Sequence, residues 1–199
     1  MLVKDAKKIT ESLTRTSKMP GLSYSLPAWA CQTGSKLRKI PSSPCFGCYA
    51  MKNNYIRYPA IKAAQYRRLD AIENPLWVEA MVVQIKRQKW FRWHDAGDLQ
   101  SVEHMNKIIE VCKLTPDTQH WLPTQERQYL PKPEDVPENL IIRLSAAKVD
   151  GTAGNAWSHS STVVTDGTAS CVAPSQGGKC LDCRACWDKN ITNVSYGKH

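Results

Sequence analysis

Apolar residues recur at close to the helical period in four stretches of the chain. They predict helices over residues 2–18, 59–72, 75–85 and 101–113. Asn74 and Ser101 occupy expected N-cap positions, and Pro75 falls in a first turn, where proline is tolerated. The apolar face of the second helix is expected to comprise Ile61, Ala64, Tyr66, Leu69 and Ile72.

Aromatic and β-branched residues mark strands between and after these helices. The predicted strands cover residues 89–94, 119–123, 140–144 and 161–165. Strands that alternate with helices indicate βαβ units and a parallel sheet. The expected fold class is therefore α/β, with an incomplete (partial) parallel barrel or an open sheet, flanked by cysteine-rich metal-binding loops.

A chain of 199 residues is expected to form one domain with a sizeable core. The predicted core covers about residues 20–165, and residues 166–199 form a cysteine-rich C-terminal segment. The N-terminus lacks the apolar run of a signal peptide, and no stretch has the length of a membrane span. These features predict a protein of the cytoplasm, where reduced thiols favour metal binding over disulfides, and no membrane partner.

Four of the eight cysteines lie close together near the C-terminus. They are Cys171, Cys180, Cys183 and Cys186, and the last three form a C-x2-C-x2-C run. Iron–sulfur clusters accept such a run together with a more remote fourth cysteine, whereas zinc sites favour well-separated pairs. An iron–sulfur cluster is the preferred interpretation, with zinc as the alternative.

A second group contains only three cysteines, Cys31, Cys45 and Cys48. Its fourth position could be taken by a histidine, a water or substrate, or a cysteine from elsewhere. In the alternative, Cys45 and Cys48 are a structural pair completed by the C-terminal cysteines. Cys112 lies among apolar residues of a predicted helix and is expected to be a small buried side chain.

Polar residues on two predicted strands suggest a cavity. Alternation places Arg92 and His94 on one strand face, and Arg143 lies within an apolar strand. A buried guanidinium is costly without a partner, so we expect either an anionic ligand or an internal carboxylate. His94, Asp95 and Asp98 follow a strand's carboxyl end, where α/β folds gather ligands, although Asp98 could instead cap the next helix.

The formal charge of +9 suggests a nucleic acid or another polyanion as a partner. The basic residues are spread out, with modest clusters at 36–39 and 86–89, and such clusters are commonly solvated faces. Charge alone therefore does not decide the function.

Several motifs together resemble a known bacteriophage family. They are Ser25-Leu-Pro-Ala28 before Cys31, Cys45-x2-Cys48-Tyr-Ala, Arg92-Trp-His-Asp-Ala-Gly-Asp98, Arg143-Leu-Ser145 and the C-terminal cysteine run ending at Trp187. In this order, over about residues 20–190, they resemble the family called gene product eighty-eight. Such a protein would act in the cytoplasm of an infected host cell.

More distantly, the Cys-x2-Cys-Tyr-Ala motif before alternating strands and helices resembles radical S-adenosylmethionine (SAM) enzymes. That resemblance implies a [4Fe–4S] cluster on Cys31, Cys45 and Cys48 whose open iron binds SAM. Thirteen residues separate Cys31 from Cys45, a longer gap than in those enzymes. Asp95 to Asp98 stands at a place comparable to the glycine-glycine-glutamate segment of those enzymes, which this chain lacks.

The expected function is a phage-encoded iron–sulfur protein with a radical-SAM-like core, acting in redox or radical chemistry on an unknown substrate. Arg92, His94 and Arg143 would line its cavity, and the C-terminal cysteines would hold a second cluster or a zinc ion. The alternative is a non-catalytic module, stabilised by metal, that binds nucleic acid or a host protein.

Overall fold

A computed structural model describes residues 1–52 and 54–198. Its seven strands form one sheet in which each strand pairs with the next strand of the chain. They are β1 (Thr14–Arg15), β2 (Leu22–Tyr24), β3 (Trp90–Trp93), β4 (Gln119–Thr124), β5 (Leu140–Ser145), β6 (Ser160–Val164) and β7 (Asn193–Gly197). β1 is antiparallel to β2, and every later pair is parallel. The sheet is not closed into a barrel, since β1 and β7 are its two edges.

Six α-helices accompany the sheet in the described ranges. They are α1 (Val3–Thr10), α2 (Gln32–Leu37), α3 (Asn54–Arg57), α4 (Pro59–Ala71), α5 (Trp77–Ile85) and α6 (Val102–Leu114). α4 and α5 lie between β2 and β3, and α6 connects β3 to β4. The later connections are made by loops and short 3-10 turns, so the α/β alternation holds only for the first part of the sheet.

The helices cover one face of the sheet. Phe91 and Trp93 of β3 and Leu122 of β4 point to that face, where they join a core cluster with side chains of α5 and α6. Every one of these three side chains is fully buried. This cluster holds the main apolar core of the molecule.

The opposite face carries the alternate residues of the same strands. Trp121 and Ile141 pack there with Trp187, which belongs to the C-terminal cysteine segment. The indole N–H of Trp187 donates to the carbonyl of Phe91 at 3.0 Å. The connection from β6 to β7 therefore brings the cysteines onto the face that the helices leave uncovered.

Two helix predictions need correction. The helix predicted over residues 2–18 ends at Thr10, because Glu11 adopts a left-handed φ of 62° and the chain then extends into β1. α4 has nearly its predicted bounds, but Ile61 and Tyr66 are exposed, whereas Gln65 and Arg68 are buried. The guanidinium of Arg68 donates to the carbonyls of Ser12 and Ser25, so polar contacts hold this helix in addition to Ala71 and Ile72 in the apolar core.

β7 was missed, because Asn193–Gly197 lacks an apolar run and becomes a strand only by pairing with β6. The remaining predicted strands and helices are present with small shifts of their ends, but α5 has Leu76 at its N-cap, so the N-cap prediction for Asn74 is wrong. No helix in the described ranges is long and apolar enough to cross a membrane.

Candidate metal centres

Four cysteine side chains line one small cavity, which we call the four-cysteine cavity. Its cysteines are Cys171, Cys180, Cys183 and Cys186, and its other lining residues are Ala173, Ala185, Trp187 and Val194. All four thiols are free of disulfides. The structure thus brings together the C-terminal cysteines that the sequence grouped, in an apolar surrounding.

Backbone hydrogen bonds fix the chain around this cavity. The N–H of Cys183 donates to the carbonyl of Cys180 at 2.8 Å, which closes a turn in which Leu181 has a left-handed φ of 44°. The N–H of Cys180 donates to Lys18, and that of Cys171 donates to Ser195 in β7, both at 2.9 Å. Cysteines that are distant in sequence are therefore anchored to the sheet edge and to the N-terminal segment.

Arg143 is fully buried beneath the same segment. Its Nε and Nη2 donate to the carbonyls of Cys186, Ala185 and Asp188 at 2.9–3.0 Å. Its Nη1 lies at 3.3 and 3.4 Å from the carbonyls of Ser160 and Thr192. The prediction that Arg143 faces an anionic ligand or a carboxylate is wrong, because five backbone carbonyls satisfy its five N–H groups.

A second cation, Arg92, lies near Cys186 on the same sheet face. Its guanidinium lies 4.5 Å from the ring centre of Trp121, and the side chain is half-buried. Burial raises the pKa of the Cys186 thiol to about 11, while Arg92 and Arg143 both oppose this rise. The thiol also lies 3.2 Å from the hydroxyl of Tyr196, so Cys186 has polar and cationic neighbours despite its burial.

The cysteines at positions 31, 45 and 48 form a separate group, which we call the three-cysteine segment. Cys31 directly precedes α2. The N–H of Cys48 donates to the carbonyl of Cys45 at 3.2 Å and closes a turn in which Gly47 has a φ of 69°. Gly34 of α2 lies against two of the thiols: a Cβ added there would lie 3.7 Å from the sulfur of Cys31 and 3.9 Å from that of Cys45. A side chain at position 34 would therefore crowd these two sulfurs.

The electrostatic surroundings of this segment are acidic. Burial raises the pKa of Cys31, and the nearby charges of Asp98, Cys48 and Cys45 raise it further. Burial likewise raises the pKa of Cys45 to about 11. The two cysteine groups therefore differ in kind, since one has arginines beside it and the other has carboxylates.

Asp98 connects the carboxyl ends of two strands. Its carboxylate accepts hydrogen bonds from Thr124 Oγ1 at 2.6 Å and from the N–H groups of Gln125 and Leu99 at 2.8 Å. Burial raises its pKa to about 7 against these hydrogen bonds. The alternative that Asp98 caps the next helix is wrong, because Ser101 Oγ accepts from His104 N at the start of α6.

Asp95 is buried among hydroxyl groups. Its carboxylate accepts from Ser25 Oγ at 2.6 Å and Tyr55 Oη at 2.9 Å, and also from Ser23 Oγ. Tyr49, which directly follows Cys48, reaches the backbone carbonyl of Asp95 with its hydroxyl. Asp95 therefore links the three-cysteine segment to the ends of β2 and β3.

The prediction that His94 shares a strand face with Arg92 is wrong. β3 ends at Trp93, and His94 has a left-handed φ of 57°, which turns its side chain towards the helices. Its ring lies 5.2 Å from that of His104 in α6, and neither ring nitrogen of His94 has a hydrogen-bond partner among the described residues. Burial lowers its pKa to about 3, so the imidazole is neutral at physiological pH.

Cys112 is fully buried in the main apolar core on α6, away from both cysteine groups, as predicted. The sequence did not reveal Glu126, which accepts from the N–H and the hydroxyl of Thr33 beside Cys31. One available signal was that Glu126 follows the end of β4 as Asp98 follows the end of β3. Gly34 gave no signal, because its role depends on the folded positions of two sulfurs.

Across residues 1–52 and 54–198, no three His, Cys, Asp or Glu side chains are arranged to hold a single metal ion. The assignment of iron–sulfur clusters or zinc to these cysteines is therefore a proposal that rests on the donor set and its surroundings.

Comparison with known proteins gives one family. The family model described as Gene product 88 matches residues 1–189. No curated protein and no solved structure matches the chain. The resemblance to radical SAM enzymes receives no support from these comparisons.

Proposed function

The chain belongs to the Gene product 88 family, and we propose that it is an iron–sulfur protein whose four-cysteine cavity holds a [4Fe–4S] cluster. One observation carries the proposal: the fully buried guanidinium of Arg143 donates to the backbone of the cysteine segment itself, through Cys186, Ala185 and Asp188. Among the described residues it forms no ion pair with a carboxylate.

A buried positive charge without a counter-charge is unfavourable, even when its N–H groups are satisfied. Four cysteine thiolates around a cluster carry net negative charge, which would balance Arg143 and the nearby Arg92. Desolvation raises the pKa of Cys180, and the nearby charges of Lys18 and Arg184 oppose that rise. Cations around thiolates are the arrangement that favours metal binding over neutral thiols.

The same proposal extends to the three-cysteine segment as the site of a second cluster. Its three cysteines would leave one iron without a protein ligand, and that iron is where a cofactor such as SAM would bind. The support is that α2 brings Gly34, which has no side chain, against the sulfurs of Cys31 and Cys45. Zinc in the four-cysteine cavity is the competing assignment.

Metal analysis after purification without oxygen tests the metal. The wild-type protein should contain iron with acid-labile sulfide, about four of each per cluster. Cys183→Ala should lose the iron and sulfide of the four-cysteine cavity, and Cys48→Ala should lose those of the three-cysteine segment. Cys112→Ser should keep both clusters, because Cys112 lies apart in the core. Stoichiometric zinc without sulfide in the wild type would contradict the proposal.

SAM binding tests the enzymatic extension separately. Calorimetric titration of SAM into the iron-loaded, oxygen-free protein should show binding that Cys48→Ala abolishes and Cys183→Ala retains. Under a reductant, bound SAM should be cleaved to methionine and 5′-deoxyadenosine. Intact clusters without SAM affinity would remove the enzymatic extension and leave a non-catalytic iron–sulfur module.

A further inference from the structure

The net positive charge of this protein arises in one part of the chain. Residues 12–69 contain ten Lys and Arg residues and no Asp or Glu. The rest of the chain contains seventeen basic and eighteen acidic residues, so it is close to neutral. The whole excess of +9 therefore belongs to this one segment through its lack of acidic residues, while the basic residues themselves are spread along the chain, as expected.

The same segment carries the exposed aromatic side chains. In the described part of the chain, every exposed Trp, Tyr or Phe lies between positions 29 and 66. They are Trp29, Phe46, Tyr49, Tyr58 and Tyr66, each exposed by 38–51%. The exposed large apolar residues elsewhere are all aliphatic. We call the exposed residues of positions 29–66 the basic aromatic surface.

Packing beneath this surface joins its parts. Ala28 and Ala50 belong to one small buried cluster with Ala96, which follows β3. Arg38 donates from Nη1 to Met51 Sδ at 3.2 Å, linking the end of α2 to the 3-10 turn at Tyr49–Met51. These contacts hold the aromatic and basic groups on the same folded unit as the three-cysteine segment.

Cations and rings are also paired directly. The guanidinium of Arg38 lies 5.5 Å from the ring centre of Trp29, and that of Arg57 lies 6.0 Å from the ring centre of Tyr58. Among the described residues, no Lys or Arg of this surface forms an ion pair with a carboxylate. Arg67, just beyond the surface, pairs with Glu11. Lys36, Lys39 and their neighbours are thus available for an external anion.

We infer that the basic aromatic surface binds single-stranded nucleic acid. Proteins that bind single strands combine cationic side chains along the phosphates with exposed rings on which unpaired bases stack. Both features coincide here, and the segment itself contains no acidic residue; the carboxylates beside its cysteines, Asp98 and Glu126, are buried. The inference does not depend on a metal in either cysteine group.

The aromatic rings distinguish a single strand from the other polyanions. Bases in a duplex are already stacked, so exposed rings contribute to duplex binding only weakly. An acidic protein would use the cations but gains no stacking from the rings. A single strand is the partner that uses both.

Fluorescence anisotropy with a labelled 20-nucleotide oligo(dT) tests the inference on the full, metal-loaded chain. A duplex of the same length and a poly-glutamate peptide of equal charge serve as competitors. We expect oligo(dT) to bind at least about tenfold more tightly than either competitor, since each stacked base adds about 1–3 kcal/mol. Equal affinity for the duplex or for poly-glutamate would overturn the inference.

Charge variants locate the site. Lys36→Ala/Lys39→Ala should reduce the slope of log affinity against log salt by about 1.4, because each single-strand phosphate contact contributes about 0.7. The matched control, Lys86→Ala/Arg87→Ala, removes two exposed cations outside the segment and should leave the slope unchanged. An equal reduction of the salt slope in both variants would show non-specific charge attraction and overturn the assignment.

A ring variant tests stacking independently of charge. Tyr58→Ala should weaken oligo(dT) binding about tenfold at constant salt slope. Leu114→Ala removes a similarly exposed apolar side chain from α6 and should have no effect. Thermal unfolding of each variant confirms its fold, and unchanged oligo(dT) affinity in a folded Tyr58→Ala would contradict the stacking role.

Discussion

Single residues show how strongly the folded context decides a role. Arg143 occupies the middle of an apolar strand, and its sequence position suggested a ligand. In the fold it instead donates to carbonyls at the start of β6 and in the segment that precedes β7, including that of Cys186. It is a residue that positions the cysteine segment, and any effect on a ligand acts through that segment.

Arg143→Leu should therefore be strongly destabilising. It removes five hydrogen bonds to backbone carbonyls, and each acceptor that is left buried and unsatisfied costs about 1–3 kcal/mol. Urea unfolding of the metal-loaded protein, in which the cysteine segment is folded, measures this loss when both variants have equal metal content. Arg87→Leu, at an exposed arginine, should change the free energy of unfolding by less than about 0.5 kcal/mol. A nearly neutral Arg143→Leu would refute the positioning role.

Three buried histidines make the stability of the fold dependent on pH. Burial lowers the pKa of His94 and His120 to about 3 and that of His104 well below its usual value. Each is neutral in the folded protein but becomes protonated in the unfolded chain below about pH 6.5. Stability is therefore complete above that pH and falls as pH decreases towards 3, by about 1.4 kcal/mol per pH unit and histidine.

His120→Phe tests this dependence at one position. Its ring stacks at 17° on Trp93, so phenylalanine keeps the packing and removes the titration. Urea unfolding between pH 6 and 4 should show a slope against pH that is smaller by about one proton than in the wild type. An identical slope in His120→Phe and wild type would contradict the prediction.

At the scale of elements, short turns and one short helix arrange the thiols. In each of the pairs Cys45–Cys48 and Cys180–Cys183, the N–H of the second cysteine donates to the carbonyl of the first, although the positive φ falls on Gly47 in one turn and on Leu181 in the other. α2 contributes a different device, because Gly34 keeps its surface free of a side chain beside two sulfurs. The spacing of cysteines predicts the turns, whereas the contribution of α2 comes only from its docking.

Gly34→Ala should reduce metal binding even though alanine has the higher helix propensity. Alanine normally stabilises a helix by about 0.5–1 kcal/mol relative to glycine. Here the added Cβ would lie 2.9 Å from the Cβ of Cys31 and next to two sulfurs, so the three-cysteine segment should lose its metal. Iron analysis should show one cluster lost and the four-cysteine cavity still loaded.

Gly197→Ala is the matched control, because a Cβ at that position has open space. It should retain both clusters. Full metal content in Gly34→Ala would show that the space beside α2 is not needed for binding.

At the scale of the whole molecule, the sheet separates two environments. α5 and α6 cover one face with the main core, and the C-terminal cysteine segment covers the other through Trp187. That segment is followed by β7, an edge strand whose partner is β6. The stability of this edge should therefore depend on whatever the cysteines bind, since metal-binding free energy is also folding free energy.

Removal of metal should accordingly loosen one edge only. After treatment with a chelator under reducing conditions, amide hydrogen exchange should accelerate over residues 165–198 and remain slow in α5 and α6. The same measurement on Cys183→Ala should reproduce this pattern without the chelator. Uniform acceleration across the core would indicate global unfolding and contradict a local role for the C-terminal cysteines.

The sequence by itself determined the α/β class, most of the central strands and helices, and the grouping of the cysteines. These features follow from local causes: periodic apolar residues, cap residues and short spacings between thiols act within a few turns of the chain. The burial of Cys112 follows from the same periodicity.

Only the tertiary structure decided which groups surround the cysteines and which faces are covered. The left-handed backbone of His94 reverses the face expected from alternation, and the donors of Arg143 find loop carbonyls more than forty residues away. Tyr66 of α4 is exposed where Arg68 is buried and makes polar contacts, so part of the expected apolar face points to solvent. In each case a long-range hydrogen bond or a single backbone angle outweighs the local pattern, and neither has a signature at short sequence range.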